Sequence, residues 1–173
     1  METRYLLAWS VPDHVLIPVE QFRKRLFAET GCISLRALEP FIPIGYIHEP
    51  FTSQDLPKDI EKPNPITWDI LDVQEQTLML TSKTPFTLSD SHIGFSTSVE
   101  QDPIPAIPGI FLGSEDICRH FDDNPGLFED MQGSFEDAVF TLSHIIMIKL
   151  TFFSPETWWE NVFYSTVKLK SLR

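Results

Sequence analysis

The chain runs twice through the same order of parts: an apolar strand, a helix and a second apolar strand. One set extends from Leu6 to Phe41 and the other from Phe111 to His144, spacings of 35 and 33 positions. Two such halves, roughly 1–50 and 105–153, predict one α+β domain over residues 1–173. The expected form is two-lobed and pseudo-twofold, with mixed or antiparallel sheets, helices on the outer faces and a central cleft. Phe41 and His144 would occupy equivalent positions across that cleft.

Local patterning supplies the elements. Residues 4–10 read as a buried first strand, closed by Val11-Pro12-Asp13. A helix follows with Pro18 at its first position and Gly31 as its C-cap. Val19, Phe22, Leu26 and Phe27 share one face, and Arg23, Lys24 and Arg25 fall largely on the other. Phe41 to Ile47 reads as a strand weakened along one edge by Pro43, which has no N–H to donate. Residues 50–65 are a proline-rich loop. Strands are expected over 66–73 and 77–81, and a one-sided pair over 86–97. Pro103, Pro105 and Pro108 mark an extended connection to a strand at 110–113. Ser114 opens a helix over 115–121, a short helix at 126–131 follows, and the branched residues of 138–153 favour one long strand. A helical turn at Ser154-Pro155-Glu156 leads to a last strand over 163–172, with Lys168 and Lys170 outward.

With 173 residues, 42% of them hydrophobic, the chain can bury a core as a single domain. Its apolar runs of roughly 5–8 residues are far below the ~18 needed to cross a bilayer, so no membrane span is expected. An early acidic residue and only a short apolar stretch fit neither a secretory nor a transit segment, which makes the cytoplasm the expected location. Cys32 and Cys118 are too few and too distant for a disulfide framework or zinc ribbon, and read as free thiols. A net charge of -12 disfavours general nucleic-acid binding, which depends on lysine and arginine neutralising phosphates. Acidic residues crowd 100–137, whereas basic ones gather at 23–25 and 168–173.

Two segments carry a more specific signal. Pro40-Phe41-Ile42-Pro43-Ile44-Gly45-Tyr46-Ile47 follows the first helix, and Phe140-Thr141-Leu142-Ser143-His144-Ile145-Ile146-Met147 closes the second half. With Arg4-Tyr5-Leu6-Leu7-Ala8 at the start, Pro85-Phe86-Thr87-Leu88 and Pro108 to Gly113 between them, and 158–172 at the end, the chain resembles the two-histidine phosphoesterases. That superfamily includes 2′,5′-RNA-ligase-like proteins and cyclic nucleotide phosphodiesterases, and the resemblance covers most of the chain. It implies a His-x-Thr/Ser motif on each motif strand. Alternation would aim both residues of each motif into one cleft. One imidazole would take a proton from the attacking oxygen and the other would protonate the leaving oxygen, while two hydroxyls hold the phosphate. The resemblance calls for neither metal nor cofactor.

Three of the four motif positions depart from that pattern. Phe41 stands where the first histidine would be, Pro43 where the first hydroxyl would be, and Ile146 where the second would be; His144 alone is kept. One missing general acid or base costs roughly 10²- to 10⁴-fold in rate, and each missing phosphate donor about 3 kcal/mol. The expected function is therefore a catalytically impaired domain whose apolar cleft binds a protein or small-molecule ligand. The alternative is an active phosphoesterase or 2′,3′-cyclic phosphodiesterase that pairs His144 with His92 or His48. His144 also has a plain reading as a partly buried strand histidine satisfied by a neighbour. Walker, dinucleotide-binding, nucleophile-elbow and His-Glu-x-x-His motifs are absent from the sequence.

Overall fold

The computed structural model describes residues 1–58, 60, 64–82, 102–132 and 138–172. In chain order the elements are β1 (Glu2–Ser10), α1 (Asp13–Thr30), α2 (Ser34–Ala37), β2 (Phe41–Ile47), β3 (Ile66–Trp68), β4 (Ile70–Gln74) and β5 (Thr77–Thr81). They continue with β6 (Ile110–Gly113), α3 (Glu115–Asp123), α4 (Pro125–Gln132), β7 (Ala138–Phe140), β8 (His144–Phe152), a 3-10 turn (Pro155–Glu160) and β9 (Phe163–Ser171). Among the described residues these strands form three open antiparallel sheets, ordered β2-β1-β8-β9, β4-β5-β6 and β3-β7. This is an α+β fold. The segment expected to hold a strand pair, 86–97, lies outside the described residues.

The main sheet separates two hydrophobic clusters, as alternation along a strand requires. Leu7 and Trp9 of β1 join Ile145 and Met147 of β8 in one cluster, under Val15, Val19, Phe22 and Leu26 of α1. Leu6 and Ala8 join Phe41, Ile146 and Ile148 in the other, with Phe111 and Trp158. β6 serves both, since Ile110 and Leu112 belong to the first and Phe111 to the second.

Helix α1 begins earlier than the sequence reading placed it. Pro18 lies inside the helix rather than at its first position. The helix gives up one hydrogen bond there, and burial of Val15 and Val19 on either side holds the turn. Gly31 ends the helix as expected, at φ +70°, with its N–H donating to the Phe27 carbonyl at 2.7 Å. Arg23 corrects the expectation of an outward basic face, being only 1% exposed. Its Nε donates to the Leu112 carbonyl (3.0 Å), its Nη2 to the Leu38 carbonyl (2.7 Å) and its Nη1 to Glu20 (2.6 Å). The guanidinium thereby ties α1 to β6 and to the end of α2. Burial lowers its pKa, partly offset by the charge of Glu20.

Two expected strands divide. Residues 66–73 break at Asp69, so that β3 pairs with β7 while β4 pairs with β5. Residues 138–153 break at 141–143, between β7 and β8, for the same reason: branched residues favour extended backbone, but the chain changes sheet at each break. Helix α3 runs two residues past its expected end, to Asp123. Its start is held by a cross-link in place of a Ser114 side-chain cap. The Ser114 N–H donates to Ser34 Oγ at 2.8 Å, and Asp116 accepts from both the hydroxyl and the N–H of Ser34. Pro43 does sit on an edge strand, opposite Ala8, where the β1–β2 register shifts.

The two strand–helix–strand sets share an order of elements but differ in pairing. β1 and β2 are neighbours in one sheet, whereas β6 and β8 lie in different sheets.

Candidate functional site

Strand register places the motif positions. Ser10, at the end of β1, pairs with Phe41, and its hydroxyl reaches the His144 carbonyl at 3.5 Å. Phe41 and His144 thus flank β1, and two strand spacings put their backbones roughly 10 Å apart. Ala8 pairs with both Pro43 and Ile146 in the next row. Pairing of β8 with β1 is regular from Phe152 to Ile145, and His144 precedes it as the first residue of the strand, two positions from Ile146, so that strand alternation gives the two residues one sheet face. All four motif positions therefore fall on one face of one sheet, with β1 between the two motif strands.

That face is largely filled. Phe41 is 1% exposed and stacks on Phe111 at 5.3 Å between ring centroids, and Phe111 contacts Trp158 at 5.9 Å. Ile104 packs here too, anchored through its backbone, which both donates to and accepts from the Tyr46 hydroxyl at 3.1 and 2.8 Å. Burial pushes the Tyr46 phenol pKa up, so it stays protonated. Beside Phe41 and Ile146 remains a partly open cleft of about 120 Å³, shaped also by Leu38, Ile148 and Tyr164. Glu39 is its one charged lining residue among those described, and no lysine, arginine or histidine lines it. Tyr164 and Thr166 of β9 and Ser10 contribute hydroxyls. Burial first, then the Glu39 carboxylate, raises the Tyr164 pKa.

His144 itself is half-buried and outside that cleft lining. Its Nδ1 lies 2.8 Å from Ser143 Oγ, and the Ser143 carbonyl accepts the Leu172 N–H at 2.6 Å. His48 is exposed just beyond β2, past the Tyr5–Ile47 pair. Tyr5 and Ser10 are the two ends of that pairing, so His48, one step past the Tyr5 row, lies roughly 20 Å along the sheet from the His144 row at ~3.4 Å per residue. These two histidines cannot serve one phosphodiester in this arrangement. His92 lies outside the described residues. Among the described residues, no group of three or more His, Cys, Asp or Glu side chains could hold a metal ion. No described helix is long and apolar enough to cross a membrane.

Of the positions that the resemblance aims into one cleft, Phe41 and Ile146 line this pocket, whereas Pro43 and His144 do not. Tyr164 and Thr166 come from the last strand, and nothing in their local pattern names the face they share with Phe41. Phe111 marks the start of the second set in the sequence, but nothing in its local pattern names Phe41 as its stacking partner. The chain matches no protein-family model, and no curated protein is significantly similar to it in sequence.

Proposed function

We propose that the chain is a two-histidine-phosphoesterase-like domain that binds rather than cleaves, with a small neutral, mainly apolar group as the occupant of its cleft. One observation carries this: the cleft beside Phe41 and Ile146 has Glu39 as its only charged lining among the described residues. A phosphodiester entering there would lose solvation, meet a carboxylate and gain no cationic partner. The buried Phe41–Phe111 stack occupies the position where the resemblance would call for an imidazole. Pro43 and Ile146 offer no hydroxyl. The apolar floor suits a branched or aromatic side chain of a partner, or a comparable small molecule; a dry apolar cavity of about 150 Å³ takes a benzene-sized guest.

The rival reading, an active phosphodiesterase built on His144, rests on the position of that imidazole on the same sheet face and its contact with Ser143. Incubation with 2′,3′-cyclic nucleotides and 2′,5′-linked oligonucleotides, beside a His144→Ala variant, separates the two. The binding reading expects no turnover from either protein. Turnover by the wild-type chain that disappears in the variant would establish the rival.

A further inference from the structure

We propose that β9 is a self-association edge, through which two copies pair antiparallel about a twofold at Ser165 and join their four-stranded sheets into one of eight strands. Among the described strands the main sheet has two edges, β2 and β9. The β2 edge is blunted by Pro43, which lacks an N–H, and by the register shift beside it. β9 has neither protection over its first six residues. It contains no proline, glycine or acidic residue, and its one irregularity, opposite Ile145/Ile146, comes after Lys168. Every residue from Phe163 to Lys168 is exposed, with Phe163 at 66% and Val167 at 48%.

A second copy is the occupant that the sequence of this edge fits. With Ser165 opposite itself, Phe163 faces Val167 on one side of the sheet and Tyr164 faces Thr166 on the other, each pair occurring twice by symmetry. Aromatic and β-branched residues are favourable cross-strand partners. The same register brings the exposed Lys168 of each strand within two positions of Glu160 of the other copy and keeps the lysines of the two strands apart, while Lys170 Nζ donates to the Pro57 and Lys58 carbonyls of its own chain. β9 thus offers a lysine-bearing, acid-free strand edge in a chain whose net charge is -12. A pairing of this length is small beside the ~800 Å² per partner of a standard interface, so the dimer is concentration-dependent.

Sedimentation equilibrium of the full chain over a concentration series is the test. The apparent mass is expected to rise from 19.9 kDa toward twice that value. Ser165→Lys, at an exposed position, places two lysines face to face and should hold the protein at the single-chain mass with an unchanged circular dichroism spectrum. Ser165→Cys should give a covalent dimer under mild oxidation, because directly opposed strand residues have disulfide-compatible spacing. The wild-type chain should not cross-link, since Cys32 and Cys118 are buried. A wild-type chain that stays at 19.9 kDa throughout would overturn the proposal. So would a dimer that survives Ser165→Lys and fails to cross-link through Ser165→Cys.

Discussion

Phe41 shows how one side chain changes what a sheet face can do. At 1% exposure, and stacked on Phe111, it holds a core position where the resemblance would place a catalytic imidazole. Phe41→Ala should destabilise the fold by about 3–5 kcal/mol, the usual cost of emptying a buried aromatic site, read as a lowered urea midpoint. A value near zero would mean that the stack contributes nothing. The identity of this residue was legible in the sequence, as were Pro43, His144 and Ile146. Arg23 was misread, because helical periodicity alone gives an arginine to solvent. Its burial depends on the Leu112 and Leu38 carbonyls, 89 and 15 positions away. No local pattern encodes those partners.

At the scale of elements, most strands and helices were legible because each has its own punctuation. Gly31 and Pro125 delimit helices, and Pro155 opens the 3-10 turn. The failures were at corners. Residues 66–73 and 138–153 each look continuous, and each divides because its halves belong to different sheets. Such a division depends on distant partners and is invisible to periodicity. The β4–β5 hairpin carries its own strain: Glu75 and Gln76 occupy its turn at φ +46° and +57°, a left-handed pair that favours asparagine and glycine. Gln76→Gly should therefore stabilise the protein by roughly 0.5–1 kcal/mol. That corresponds to a melting temperature raised by about 1–4 °C in a chain of this size, measurable by calorimetry. An unchanged or lower value would show that the glycine's extra freedom in the unfolded chain outweighs the relief.

Over the whole molecule, the expected α+β class is what the chain adopts, yet the pairing of its two halves differs. Strand order reflects which edges meet, and two similar stretches of sequence cannot fix that alone. Burial of both cysteines has a measurable counterpart. Desolvation, reinforced by Asp116, pushes the Cys118 thiol up to about 12, and desolvation also raises Cys32. Neither thiol should react with a disulfide reagent at pH 8 in the native state, and both should react in denaturant; rapid native labelling would contradict the packing around α2 and α3. The same shift sets a sign for stability at alkaline pH. Above pH 9.0 the unfolded chain releases the Cys118 proton while the folded chain keeps it, so this contribution is lost progressively as pH rises toward 12.

The central claim is that the cleft beside Phe41 accepts a neutral apolar group and refuses phosphate. Isotope-labelled isoleucine methyls report on it directly, because Ile146 and Ile148 both line the cleft. Titration with benzyl alcohol should shift those two methyl resonances progressively to saturation, while a 2′,3′-cyclic nucleotide or inorganic phosphate leaves them in place. Saturable shifts caused by the cyclic nucleotide and none by the alcohol would contradict the account.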